Sequence, residues 1–335
     1  MHLPRFTYVR PGSRDEAAGL LDTFGKAAVL VAGGTDLFPR MKYRISTPEY
    51  LVSLSGVTRF LPALDEDGAL RIDALMSLGD LSRSPIVRTH APLVSQAATC
   101  VASGQIRNAA TLGGNLCLEC RCLYYNQSHT FQFVEPCFKL GGDLCYFAPK
   151  GNRCWAIFAS DVAPALLSLD TVICVTGGPG KQRRFPVAEL YTGDALSPLT
   201  LLPSEIITEI IVPSAFGTGR HSFRKFSRRK GYEFAGLSVA VALQVADDGR
   251  TCRDARIAVG SVAGGPVRAA AAEAGLPGQD LSNSETVRSA AATAAQEIRP
   301  IAHHGYQAAH LRHCLEVEVL RALTEAAGPA PLADV

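Results

Sequence analysis

Clustered cysteines are the feature that most constrains the fold of this 335-residue chain. Six of its ten cysteines lie in one segment, as Cys117-x2-Cys120-x-Cys122-x14-Cys137-x7-Cys145-x8-Cys154. Residues 116–160 show no sustained helical or strand periodicity. So long an irregular stretch inside a compact domain is typical of a functional loop or of one that a ligand orders. The pattern therefore predicts an insert whose order depends on what the cysteines bind.

Composition and charge indicate the compartment. Residues 1–11 lack the apolar core of a secretory signal, and the longest apolar stretch, residues 235–246, is too short to span a bilayer. A net charge of +2 gives no global field that would recruit nucleic acid or an anionic membrane. We expect a cytoplasmic protein without nucleic-acid or membrane partners, in which clustered cysteines bind metal or do redox chemistry rather than form disulfides.

The spacing of the six cysteines leaves several metal sites open. It contains neither the paired C-x2-C of a zinc ribbon nor the C-x2-C-x2-C run of bacterial ferredoxins. Four thiolates spread over a loop can still converge on one iron–sulfur cluster. The alternatives are a structural zinc site and buried, unreactive thiols. Buried thiols are the expected state of the four cysteines in regular segments, Cys100, Cys174, Cys252 and Cys314.

Two glycine turns precede the cysteine segment. Gly33-Gly34-Thr35-Asp36 follows a short apolar run, and Thr111-Leu112-Gly113-Gly114-Asn115 follows helical patterns. Glycine lets the backbone approach a ligand closely, and successive N–H groups can cradle a pyrophosphate. Neither turn matches a Walker A loop or a Rossmann fingerprint, and ordinary turns are the alternative.

The order of predicted elements indicates two units. Capping boxes at Ser13-x-x-Glu16 and Ser282-x-x-Glu285 predict helix starts. A boundary is expected near residues 213–219. Beyond it, strand-like runs at 223–227, 237–245 and 255–261 precede helices, the last at about 306–326. This order predicts an α+β carboxy-terminal domain with a three-stranded sheet.

Five segments in order resemble the FAD-binding subunits of molybdenum hydroxylases, such as the carbon monoxide dehydrogenase medium subunits and the FAD segment of xanthine dehydrogenase. They are the two glycine turns, Ser160-Asp161-Val162-Ala163-Pro164, residues 205–213 and Phe223-Arg224-Lys225. The resemblance implies an α+β fold. A two-subdomain FAD-binding domain of the PCMH type would span residues 1–215, and a CO-dehydrogenase-flavoprotein-like domain would span residues 219–328.

The same resemblance implies an FAD site and no catalytic residue in this chain. Residues 31–36 and 111–115 would wrap the pyrophosphate and ribityl chain, Ile207 would contact the isoalloxazine, and Lys225 would lie near its polar end, with Arg224 a near-equal candidate. The implied cofactor-binding residues are Leu30, Val31, Ala32, Gly33, Gly34, Thr35, Asp36, Leu37, Val101, Thr111, Gly113, Gly114, Asn115, Asp161, Ile207 and Lys225.

The insert, residues 116–158, resembles that of the 4-hydroxybenzoyl-CoA reductase β subunits. The resemblance lies in Arg121-Cys122-Leu123-Tyr124-Tyr125-Asn126-Gln127-Ser128 and Ala148-Pro149-Lys150-Gly151-Asn152-Arg153-Cys154. It implies one 4Fe–4S cluster held by Cys122, Cys137, Cys145 and Cys154. Cys117 and Cys120 are then spare.

This resemblance also implies a function. The chain would carry electrons in the reductive dehydroxylation of 4-hydroxybenzoyl-CoA to benzoyl-CoA during anaerobic aromatic degradation. Its partners would be a large molybdopterin subunit, a small 2Fe–2S subunit and a ferredoxin donor, in a heterohexameric dimer of αβγ units. Two alternatives remain: the FAD subunit of another molybdenum hydroxylase, acting on an aldehyde, an N-heterocycle or a xanthine, and a non-catalytic assembly module stabilised by zinc.

Overall fold

A computed structural model describes residues 2–127, 135–217, 219–229 and 231–328. Ser128, which ends one motif of the insert, lies outside these ranges. The described residues form three sheets of three, five and four strands. Within the same ranges, no helix has both the length and the apolar content needed to cross a bilayer.

The first subdomain alternates short strands and helices around a parallel sheet of order β1-β3-β2. Its elements are β1 (Thr7–Val9), α1 (Arg14–Phe24), β2 (Ala28–Val31), α2 (Leu37–Lys42) and β3 (Tyr50–Ser53). Ser13 caps α1 as predicted, its Oγ accepting from the N–H of Glu16 at 3.1 Å. The Glu16 carboxylate, however, accepts from the N–H of Gly12 rather than from that of Ser13. The first glycine turn lies where β2 ends and α2 begins.

The second subdomain packs helices against an antiparallel sheet of order β4-β5-β8-β6-β7. Its elements are β4 (Ala63–Leu64), β5 (Leu70–Asp73), α3 (Leu78–Arg83), α4 (Pro85–His90), α5 (Pro92–Thr99), α6 (Gly104–Ala109), α7 (Leu112–Leu116), α8 (Val162–Ser168), β6 (Val172–Thr176), β7 (Gln182–Pro186), β8 (Ile206–Val212) and α9 (Ser214–Gly217). The second glycine turn begins α7, where the Oγ1 of Thr111 accepts from the N–H of Gly114 at 3.2 Å.

The carboxy-terminal part is an antiparallel sheet of order β12-β11-β10-β9 with helices. Its elements are β9 (Arg220–Phe226), β10 (Leu237–Val245), β11 (Cys252–Gly260), β12 (Val267–Arg268), α10 (Ala270–Ala274), α11 (Ser284–Glu297) and α12 (Ala308–Ala327). The sheet therefore has one strand more than the three predicted. The additional strand, β12, has only two residues. The predicted cap at Ser282 was also wrong: the Asn283 side chain accepts from the N–H of Glu285 at 2.9 Å.

The side chains on the two faces of β10 belong to two different hydrophobic cores, so this strand links the carboxy-terminal part to the second subdomain. Val239 and Val241 face the core formed with the carboxy-terminal helices, whereas Ala240 and Ala242 belong to the core of the second subdomain. Successive strand residues point to opposite faces, so one strand serves both cores. This packing brings β9 close to the end of α5 and the start of α8.

Candidate functional site

Two adjoining cavities lie between the glycine turns and strand β9. The glycine cavity, of about 260 Å³, is lined by both glycine turns and by Ile207. The lysine cavity, of about 310 Å³, is lined by Val101, Asp161 and Lys225. Thr35, Asp36, Ala110, Asn115 and Leu118 line both cavities. The two cavities thus offer one continuous surface to an elongated ligand.

The first glycine turn packs against the backbone just before the second turn, which leaves no room for a side chain at Gly33. A Cβ on Gly33 would lie 2.0 Å from the carbonyl oxygen of Ala109, and Gly34 has a φ of +69°, which disfavours side chains. In the described part of the chain, the N–H groups of Gly34, Thr35 and Asp36 find no protein acceptor. Three successive free N–H groups at a glycine turn suit an anionic group.

A buried ion pair forms one wall of the lysine cavity. Lys225 Nζ donates to Asp161 Oδ2 at 2.6 Å and to the carbonyl oxygen of Cys100 at 2.9 Å. The two side chains are only 9% and 6% exposed. Burial raises the pKa of Asp161 above its ordinary value, and Lys225 opposes part of that rise. Asp161 Oδ1 is buried without a hydrogen-bond partner among the described residues, so a ligand that donates a hydrogen bond would satisfy it.

The structure distinguishes Lys225 from its neighbour Arg224. The Arg224 guanidinium donates to Glu318 at 2.5 Å and also pairs with Glu325, both on α12. The two residues are adjacent in β9, so their side chains point to opposite faces of the sheet. Only the Lys225 side chain of this pair lines the cavity.

All sixteen residues proposed for the cofactor line these two cavities. Those in the glycine cavity alone are Leu30, Val31, Ala32, Gly33, Gly34, Leu37, Thr111, Gly113, Gly114 and Ile207. Thr35, Asp36 and Asn115 line both, and Val101, Asp161 and Lys225 line the lysine cavity. Sequence reasoning missed Tyr232 and Phe234, which line the lysine cavity from the turn after β9 and are 69% and 49% exposed. No spacing signal marks them.

Comparison with known proteins identifies the family. Residues 4–215 match the model of the FAD binding domain in molybdopterin dehydrogenase, and residues 221–326 match that of the CO dehydrogenase flavoprotein C-terminal domain. The chain belongs to the FAD-binding medium subunits of the molybdenum hydroxylases.

Individual relatives agree with this assignment. The aldehyde oxidoreductase FAD-binding subunit PaoB of Escherichia coli is 35% identical over 285 residues, which cover 81% of this chain and 86% of the relative. The carbon monoxide dehydrogenase medium chain of Hydrogenophaga pseudoflava is 30% identical over 298 residues, covering 89% of this chain and 88% of the relative. A solved structure of carbon monoxide dehydrogenase from the same organism superposes with a TM-score of 0.78 at 28% identity, covering 97% of this chain and 98% of that one. The predicted fold class is confirmed.

The family assignment also confirms FAD as a cofactor of this medium subunit, since its first domain is the FAD-binding domain. The structure suits that ligand. It offers a close-packed glycine cradle, free backbone N–H groups and an unsatisfied carboxylate oxygen in adjoining cavities. When bound, FAD supplies hydride and single-electron transfer.

A third, much smaller cavity lies in the cysteine insert. Its volume is about 10 Å³, and its lining includes Cys122, Cys137, Cys145 and Cys154, all free thiols. Burial raises the pKa of Cys122, and the neighbouring thiols of Cys137 and Cys145 raise it further. Among the described residues, no group of three or more His, Cys, Asp or Glu side chains is arranged to hold a metal ion. The four cysteines thus share a cavity without a preformed metal site.

The other two cysteines of the insert are directed elsewhere. Cys117 lines the glycine cavity. The Cys120 thiol is buried and donates to the carbonyl oxygen of Gly264 at 3.4 Å. Neither residue lines the small cavity of the insert.

Proposed function

We propose that this flavoprotein relays electrons in a molybdenum hydroxylase complex that oxidises an aldehyde or an N-heterocyclic substrate. The observation that carries the proposal is the likeness, over most of its length, to the FAD-binding subunit of an aldehyde oxidoreductase. The nicotine 6-hydroxylase medium subunit and the 6-hydroxypseudooxynicotine dehydrogenase complex subunit alpha, both of Paenarthrobacter nicotinovorans, are each 30% identical over 331 residues. The likeness to subunits of an oxidoreductase, a dehydrogenase and a hydroxylase supports an oxidative reaction more than a reductive one.

The cavities suggest how the chain would hold its flavin. The N–H groups of Gly34, Thr35 and Asp36 would donate to the pyrophosphate, with residues 111–115 on the opposite wall. Lys225 and Asp161 would meet the polar edge of the isoalloxazine, and Ile207 and Val101 would pack on apolar parts of the cofactor. A cation and N–H donors near a flavin favour its anionic reduced form. In this proposal, residues 1–215 and 219–328 are the two domains.

The proposed partners follow from this role. Substrate would react on a large molybdopterin subunit, and a small 2Fe–2S subunit would exchange electrons with this chain, in the cytoplasm. Purification of the native complex with subunit and metal analysis tests this. The expected result is co-purification of three chains with molybdenum, iron and FAD. A flavoprotein that purifies without molybdenum under gentle conditions contradicts it.

A second candidate, a complex like 4-hydroxybenzoyl-CoA reductase, rests on the insert. Its motifs resemble that subunit, and Cys122, Cys137, Cys145 and Cys154 line one cavity. In that case the chain would hold a 4Fe–4S cluster, receive electrons from ferredoxin and belong to a dimer of αβγ units. The cluster is equally compatible with the oxidative proposal, as an additional relay.

A substrate panel separates the two candidates. Under anaerobic conditions, aldehydes or N-heterocycles are expected to bleach the flavin absorbance of the complex. Oxidation of the pre-reduced complex by 4-hydroxybenzoyl-CoA, with no bleaching by the other compounds, favours the second candidate. Stoichiometric zinc without iron in the insert favours the assembly module instead.

The cluster itself is tested by substitution within the insert. Cys137→Ser is expected to lower the iron content of the purified chain towards zero, because the cavity loses one of its four thiols. Cys117→Ser, the matched control, is expected to retain the iron. Iron quantification and the dithionite-sensitive absorbance measure both, and equal iron in the two variants contradicts this ligand assignment.

A further inference from the structure

The first glycine turn places a carboxylate beside the N–H groups that would hold the flavin phosphates. This carboxylate belongs to Asp36, which lines both adjoining cavities. Asp36 is also the N-cap residue of α2, yet its side chain makes no capping hydrogen bond to the described N–H groups of that helix. A carboxylate without a counter-charge next to an anion-binding turn would repel the anion. The position of Asp36 therefore requires a cation.

Arg121 supplies that cation from outside the cavities. Its guanidinium pairs with the Asp36 carboxylate, and its Nη2 also donates to the carbonyl oxygen of Asp36 at 3.3 Å. The two side chains are only 17% and 29% exposed, so solvent screens the pair only partly. Arg121 is not among the residues that line either cavity. Its influence on a ligand there would pass through Asp36.

The neck of the cysteine insert holds Arg121 in place. The N–H of Arg121 donates to the carbonyl oxygen of Ile157 at 2.9 Å, and the N–H of Ile157 donates back to the carbonyl oxygen of Arg121 at 3.0 Å. Ile157 is buried, and its neighbours Ala156 and Phe158 belong to the core of the second subdomain. The backbone that carries the guanidinium is thus anchored to a packed core.

A second arginine, Arg40, is shared between two carboxylates. Its Nη1 lies 3.9 Å from Asp36 Oδ2, and its guanidinium also pairs with Glu119. Although burial alone raises it, the pKa of Glu119 is lowered overall by Lys139 and Arg40, so Glu119 stays ionised at neutral pH. Arg121, in contrast, forms an ion pair with Asp36 alone among the described residues. Arg121 is therefore the main partner of the Asp36 carboxylate.

We propose that Arg121 is a positioning residue for the flavin: it orients and neutralises the Asp36 carboxylate, so that the first glycine turn accepts the pyrophosphate of FAD. The neck of the cysteine insert thereby forms part of the flavin site, whatever the insert itself binds. This inference rests on the flavin placement given under the proposed function. Without Arg121, the carboxylate keeps its charge, loses its main partner and repels the phosphates.

The test is an FAD titration of the purified complex after its flavin has been removed, followed by the quenching of flavin fluorescence. Arg121→Met is expected to raise the dissociation constant of FAD about tenfold. Arg121→Lys should restore most of the affinity, because it restores the charge. Arg268→Met is the matched control. Arg268 is 25% exposed and pairs with Asp170 at 2.9 Å, but it is not among the residues that line either cavity, so its loss should leave the affinity unchanged.

Asp36→Asn separates the charge effect from damage to the insert, and it keeps the test decisive if Arg121→Met does not fold. Combined with Arg121→Met, it removes the uncompensated carboxylate, so the double variant should recover most of the lost affinity. Alone, it leaves Arg121 unopposed, so FAD should bind more tightly than to the wild type.

Three results would each overturn the role of Arg121 alone. They are wild-type affinity in folded Arg121→Met, no recovery in the double variant, and equal or weaker binding in Asp36→Asn. Wild-type affinity in Gly33→Ala has a wider consequence, because Gly33 belongs to the turn itself. That result overturns the placement of the pyrophosphate at this turn, and this inference with it.

Discussion

Gly33→Ala is expected to lose flavin and to destabilise the FAD-binding domain by ~2 kcal/mol or more. The new Cβ would lie 2.0 Å from the carbonyl oxygen and 2.7 Å from the carbonyl carbon of Ala109, both backbone atoms that cannot rotate away. The first glycine turn must then move away from Ala109 and Ala110, which lead directly into the second turn, and both turns line the same cavity. Flavin per chain should fall about tenfold or more, since each ~1.4 kcal/mol of binding free energy is a factor of ten.

Gly19→Ala is the matched control for this substitution. Gly19 lies within α1, and a Cβ there would meet no atom within 4 Å. Alanine is the better helix former by about 1 kcal/mol, so this variant should keep its flavin and melt at an equal or higher temperature. Flavin absorbance per chain and thermal unfolding measure both variants. Full flavin retention in Gly33→Ala contradicts a flavin site that depends on the close packing of Gly33 against the backbone of Ala109.

Strong local patterns predicted much of the fold. The strand-like runs at 223–227, 237–245 and 255–261 predicted β9, β10 and β11, and Ser13 predicted the start of α1 because its hydroxyl caps the helix. The missed elements have weak local signals. Strand β7 is mostly exposed at the sheet edge and reads Gln-Arg-Arg-Phe-Pro, without the apolar content that marks a strand. Helix α7 was not predicted because it contains two glycines, which have a low helix propensity. The Thr111 cap and tertiary packing stabilise this helix in spite of them.

Only those residues of the candidate site that belong to a recognisable sequence motif could be predicted. The glycine turns and Asp161 stand in recognisable segments, and they line the glycine cavity and the lysine cavity. The contacts that complete the site join residues far apart in the chain: Lys225 and Asp161 are separated by 64 positions, and Arg121 and Asp36 by 85. The helical and strand periodicity of the sequence does not predict such distant pairs.

Lys225→Met is expected to destabilise the protein by ~3 kcal/mol or more at neutral pH, because it leaves the carboxylate of Asp161 buried without its cation. Burial already raises the pKa of Asp161, and loss of Lys225 raises it further. A carboxyl whose pKa is higher in the folded than in the unfolded state favours folding below the unfolded value and loses that contribution as pH rises through the folded value. The deficit relative to wild type should therefore be largest at neutral and alkaline pH and shrink as acid neutralises Asp161.

Two further variants isolate the charge from the loss of packing. Asp161→Asn combined with Lys225→Met removes both charges, so the double variant should recover part of the stability that Lys225→Met alone loses. Lys181→Met, at an exposed position, should change stability by less than ~0.5 kcal/mol. The unfolding midpoints of the wild type and of these variants between pH 5 and pH 8, with flavin content measured in parallel, test this prediction. A deficit of equal size at every pH, unrelieved in the double variant, contradicts a buried unpaired carboxylate and leaves packing as the contribution of Lys225.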